Sequence, residues 1–179
     1  MKKVLLGFFV VFALAGTASA GPIAVDGPWY EFGFAGVGSP GGDCSGCSGT
    51  VPASVNAGNA PWTFSGPATV TVLDLFLSGD RFELFDNLVS VGITSAPVAG
   101  DDCSGNIACA LADPDFSRLV VSLGAGNHSL TINTLASPFG GGAAVFQVRT
   151  PEPTSMLLLG SGLAGVAARI RRRRKTAKA

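Results

Sequence analysis

The sequence predicts an all-β domain, a single β-sandwich with jelly-roll-like or Greek-key connections. Three observations carry that expectation. Short alternating apolar runs, bounded by Gly, Pro, Asn and Asp, recur over residues 21–150. No stretch there keeps a 3.6-residue period for three turns. Glycine and proline are abundant in this region and lysine is absent from it. Seven or eight strands in about 130 residues imply two sheets packed face to face, because one open sheet would leave an apolar face in water. A chain of that length suits one domain and can bury about 68% of its unfolded surface.

The elements follow in order. Residues 28–36, PWYEFGFAG, place aromatics where a pleated surface takes them. Residues 38–59 read as a long Gly/Ser/Pro loop holding Cys44 and Cys47. Residues 68–77, ATVTVLDLFL, are the strongest strand, with an ambiguous phase. Val70 and Val72 share one face, while Leu73, Leu75 and Leu77 share the other. Either both faces are buried or a bulge shifts the register. Residues 78–80 turn, and residues 81–86 return with Phe82 and Leu84 on one side. After a turn at Asp86 and Asn87, Val89, Val91 and Ile93 alternate, which completes a meander. Residues 95–115 form a second loop with Cys103 and Cys109. Strands at 118–123, 128–134 and 142–149 close the set. No internal repeat is visible.

The two ends differ in kind from this domain. Met1-Lys2-Lys3, an apolar run to Gly16 and Thr17-Ala18-Ser19-Ala20 form a signal peptide over 1–20. Ala18 and Ala20 fit the A-x-A pattern, so the mature chain is expected to begin at Gly21. At the other end, residues 151–179 contain Pro151-Glu152-Pro153, then an uncharged apolar helix expected over 154–168. Fifteen helical residues reach about 22 Å, short of a hydrocarbon core of about 30 Å. Arg169, Arg171, Arg172, Arg173, Arg174 and Lys175 follow and would stay cytoplasmic as a stop-transfer cluster. Everything before Pro151 is then exported.

Charge excludes one class of function. The formal net charge is zero, yet residues 21–150 hold three basic residues against eleven acidic ones. A region near −8 lacks the positive footprint that nucleic acid requires, so no nucleic-acid partner is expected.

The four cysteines lie in the two longest loops of an exported chain, which predicts disulfides. Local pairs, Cys44 with Cys47 and Cys103 with Cys109, are the expected connectivity. His128, the sole histidine, shares strand parity with Leu130 and Ile132. No Gly-x-Ser-x-Gly elbow precedes the tail, so His128 reads as a strand-end residue and no catalytic residue is assigned. Asp80, Glu83 and Asp86 are the carboxylates that glycoside cleavage would use, although Asp80 and Asp86 sit at turns where Asp is common. Calcium is the metal that Asp101, Asp102, Asp113 and Asp115 would take, set against a solvated acidic loop. No cofactor is expected. Trp29, Tyr30 and Trp62 are the aromatics that a sugar-binding face would use.

Two segments resemble known families. The tail PEPTSMLLLGSGLAGVAARIRRRRK resembles the PEP-CTERM sorting signal of Gram-negative bacteria, often ones that make exopolysaccharide. The resemblance implies an exosortase partner that recognises Pro151-Glu152-Pro153 and removes the tail. It also implies transient attachment to the inner membrane, then release to the envelope, the surface or the extracellular matrix, with exopolysaccharide as a second partner. Residues 74–95, DLFLSGDRFELFDNLVSVGITS, are similar to a small β-sandwich domain of other exported proteins. There glycine follows the Asn; here Leu88 stands in that place. The expected role is a non-enzymatic structural or binding module, with carbohydrate binding or an enzyme of envelope polysaccharide as alternatives.

Overall fold

The computed structural model describes residues 21–44, 51–52 and 54–151. The predicted signal peptide, Cys47, the apolar helix at 154–168 and the basic cluster lie outside the described residues. Among the described residues, eight strands and one short helix follow in order: β1 (Gly21–Pro22), β2 (Trp29–Phe34), β3 (Ser54–Asn56), β4 (Trp62–Asp74), β5 (Arg81–Asp86), β6 (Val89–Ile93), α1 (Ile107–Ala112), β7 (Arg118–Ala136) and β8 (Gly142–Arg149). The all-β expectation is met.

The layering differs from two separately bonded sheets. All eight strands are hydrogen-bonded into one sheet, ordered β3-β2-β8-β4-β7-β5-β6, with β1 added in parallel to β4. The sheet curls until its own halves face each other. Phe32 on β2 reaches Phe82 on β5 at 5.6 Å between ring centroids, although three strands separate β2 from β5 in the order. The segment after β2 helps to close the curl. The Gly42 N–H donates to the Gly33 carbonyl at 2.9 Å, and the Gly41 N–H donates to the Ile132 carbonyl at 2.7 Å. Curling removes the wet apolar face that a flat sheet would leave, so two sheets are not required.

The curl depends on bends in the two longest strands. β4 and β7 run antiparallel, with Gly66 opposite Gly126 and a register shift between Gly66 and Ala68. The sequence reads as two strands at 118–123 and 128–134; β7 is one strand of 19 residues. Gly124-Ala125-Gly126 bends it instead of turning it, because the bulge in β4 bends alongside.

The ambiguous strand proves buried on both faces. Val70 and Val72 enter the main core with Phe32, Trp62, Phe82 and Phe146. Leu73 and Leu75 enter a smaller core with Val51, Ala110, Phe116 and Val145 on the outer face. α1 covers that second core. It lies inside the predicted 95–115 loop, capped by the Asn106 side chain, which accepts from the Cys109 N–H at 3.1 Å. Cys103 and Cys109 form a disulfide that ties the start of this helical turn to the loop. Cys44 is also disulfide-bonded.

The β5–β6 turn explains the missing glycine. Asn87 and Leu88 both have positive φ, 49° and 66°, as the tight turns favoured in hairpins require. Leu88 is 87% exposed, so its side chain contributes little packing. A left-handed non-glycine residue costs roughly 1 kcal/mol. Leu88→Gly is therefore expected to stabilise the domain by about 1 kcal/mol, read as a higher urea midpoint. A midpoint that stays put or falls would refute this account of the turn.

Candidate functional site

The acidic loop gathers three of its four aspartates. The side chains of Asp101, Asp113 and Asp115 place carboxylate oxygens within 4.8 Å of one another. Asp102 does not join them; its carboxylate accepts the Ser104 N–H in a local turn, at 2.6 Å. A hydrogen bond with Asp101 pushes the Asp115 carboxyl up, helped by desolvation and by the charges of Asp113 and Asp101. Three carboxylates could supply three of the roughly six to eight oxygens that calcium takes. Exposed acidic groups are also common in the absence of any metal.

His128 is nearly fully buried and lies within β7. Its Nδ1 lies 2.8 Å from Asp86 Oδ2, and its Nε2 lies 3.0 Å from the Gly124 carbonyl oxygen. The ring stacks on Phe64 at 5.0 Å. Asp86 also accepts the Ser129 N–H at 3.0 Å. Both ring nitrogens thus lie within hydrogen-bond distance of an oxygen.

The three carboxylates considered for glycoside cleavage sit in different surroundings. Glu83 accepts from the Ser90 hydroxyl on the hairpin surface, and Asp86 is held by His128. Asp80 is buried beside Asp74. Burial raises the carboxyl of Asp80 as well as that of Asp74. Asp74 organises the β4–β5 turn: its carboxylate accepts the N–H groups of Leu75, Gly79 and Asp80 at 2.8, 3.1 and 3.1 Å.

Of the aromatics considered for sugar binding, Trp62 and Tyr30 are core residues, 0% and 8% exposed. The Trp62 indole N–H donates to the Ala57 carbonyl at 3.0 Å. Trp29 is half-buried and lines a groove of about 710 Å³ with Pro52, Ser104, Asn106, Ile107 and Leu111.

The root of the tail is fixed to the body of the domain. Arg149 ends β8 and pairs with Thr69 of β4. Beyond it, the Thr150 N–H and hydroxyl donate to the two carboxylate oxygens of Asp26, at 2.9 and 2.6 Å. Hydrogen bonds from the Thr150 hydroxyl and then its N–H hold the Asp26 carboxyl below the usual carboxylate range, with a smaller contribution from Arg149. Pro151 is the next residue, half-buried, and the described chain ends there.

A model of the PEP-CTERM protein-sorting motif matches residues 149–173. The chain carries a PEP-CTERM sorting motif. Neither a curated protein nor a solved structure matches the chain. The PEP-CTERM motif marks an exported protein whose tail is recognised by an exosortase. It begins on the last residue of β8, so the motif and the folded domain share Arg149. Glu152 and Pro153 lie outside the described residues, as do Ala18 and Ala20; Gly21 opens β1 and its N–H donates to the Pro61 carbonyl at 3.1 Å. Among the described residues no helix is long and apolar enough to cross a membrane. Sequence reasoning did not find Asp26. Asp26-Gly27 reads as an ordinary turn pair, and nothing local points to a partner 124 residues away.

Proposed function

We propose that this chain is a non-enzymatic surface or matrix module, exported through the inner membrane by a cleavable leader. In this reading it is held for a time by the 154–168 segment, then released to the envelope or the surrounding exopolysaccharide after an exosortase reads Pro151-Glu152-Pro153. The observation that carries this is the sorting motif, which begins on the last residue of the domain's final strand. The non-enzymatic part is supported by the contacts of His128 with Asp86 and Gly124 and by the separate engagements of Asp80, Glu83 and Asp86.

Glu152→Ala tests the sorting. One carboxylate outside the bilayer adds little to insertion, so the variant should still insert. A processing enzyme that reads the motif should leave it uncut in the inner membrane. In a host with the matching exosortase, the size and membrane fraction of the product are the readout. Processing and release like wild type would reduce the tail to a plain anchor.

Carbohydrate binding is a second reading, favoured by the Trp29 groove with Asn106 and Ser104 on its wall. A glycan array on the exported protein and on Trp29→Ala separates the two. Signal lost in the variant supports sugar binding; no signal from either supports the structural role.

A further inference from the structure

The contacts around Asp26 tie the first turn of the domain to its last strand. The Asp26 N–H donates to the Val148 carbonyl at 2.9 Å. Arg149 Nη1 donates to the Asp26 carbonyl at 3.2 Å. One residue on, the Gln147 amide donates to the Gly27 carbonyl at 3.3 Å. With the two bonds from Thr150, every residue from Gln147 to Thr150 is bound to Asp26 or Gly27. Asp26 holds this position at a φ of 61°, an uncommon conformation for a non-glycine residue. β8 lies between β2 and β4 in the sheet and carries Phe146 and Val148 into the main core. Drawing β8 out from its C-terminal end would therefore undo the centre of the fold.

We infer that Asp26 is a positioning residue which clasps the root of the sorting tail at Thr150 and so sets the upstream limit of tail processing. The inference rests on the sorting reading above for its processing half. An enzyme at the membrane needs an extended segment in its cleft. Thr150 has both its N–H and its hydroxyl on Asp26, and Arg149 is laddered to Thr69, so neither can enter a cleft until the clasp opens. The bond cut then lies on the C-terminal side of Thr150. The clasp also stops fraying that starts in the tail from entering β8.

Two measurements on the full chain test this. The first is proteinase K trimming of the detergent-solubilised protein, followed by intact mass. Wild type should stop at Thr150 or beyond. Asp26→Gly removes the carboxylate and suits the positive φ, so folding is not at risk from the backbone. It should lose residues 148–150 faster, on the order of tenfold. Thr150→Val, which keeps the branched shape without the hydroxyl, should shift the same way by less. Equal trimming of Asp26→Gly and wild type overturns the clasp. The second measurement is the C-terminal peptide of the exported form from a host with its exosortase. An end at or after Thr150 supports the limit, and an end upstream of Thr150 overturns it. A wild-type tail left whole in that host sinks the sorting reading and the processing limit with it, while the trimming pattern still decides the clasp.

Discussion

Gly66→Ala should cost about 3 kcal/mol or more of stability, seen as a large drop in the urea midpoint of the exported domain. Gly66 sits where β4 and β7 bend together. A Cβ there would overlap the Gly124 carbonyl oxygen and stand 2.6 Å from His128 Nε2. Those two atoms are partners in one hydrogen bond. The added methyl must therefore break that bond and push a ring that is stacked on Phe64 and tied to Asp86. Backbone on one side and a fastened ring on the other leave no cheap way to yield. Gly124→Ala is the control. Nothing lies within 4 Å of a Cβ at Gly124, so its loss should stay near the ordinary Gly-to-Ala range of about 1 kcal/mol or less. Equal midpoints for the two variants would refute the steric account.

Stability should fall as pH rises from about 4 to about 7, and Asp74→Asn should flatten that slope. Burial, reinforced by the neighbouring charge of Asp80, pushes the Asp74 carboxyl from 3.8 up to about 7, against three backbone N–H donors that favour the ionised form. Below 3.8 both the folded and the unfolded chain hold the proton. Between the two values the folded chain still holds it and the unfolded chain has lost it. The folded state binds more protons there, so its stability declines with pH and levels off above about 7. The shift corresponds to a loss on the order of 4 kcal/mol across the window. Asn stays neutral throughout, so the difference between wild type and variant isolates Asp74 from the other titrating groups. Urea unfolding at pH 4.5, 6 and 8 gives the readout. A wild type that grows more stable toward pH 8, with Asp74→Asn parallel to it, would sink the prediction.

A strand whose two faces differ was readable from alternation: the strand predicted at 81–86 matches β5 end for end. The 142–149 prediction also matches β8, although that strand is buried on both faces. β1 and β3, two and three residues long, are too short to show any period. α1 is six residues, under two turns, so its pattern also carries no signal. The joining of 118–123 and 128–134 depends on Gly66 facing Gly126, a pairing between distant parts of the chain. The curl into one sheet depends on the same bend. At the candidate sites, sequence brought Asp101, Asp113 and Asp115 into one loop, but the outward turn of Asp102 depends on the local backbone at Ser104. Aromatic content did not separate a sugar platform from a core, and Trp62 and Tyr30 went to the core because β4 and β2 line the inside of the curl.

The direction of β8 gives the domain a foot and a head. The chain leaves at Thr150, where Arg149 is level with Thr69, whereas Ala144 is level with Asp74. Five strand residues, about 17 Å, separate these levels. The acidic loop hangs beyond the Asp74 end, where Ser78 holds Asp101 through both backbone and hydroxyl bonds. With β8 along the normal of a membrane that holds the tail, the loop would lie about two Debye lengths beyond the level of Thr150 at physiological ionic strength. Anionic headgroups at the foot would then be screened from the carboxylates at the head. In that orientation the aspartates of the loop would face the solutes and polymers outside, with the lipid surface electrically out of range.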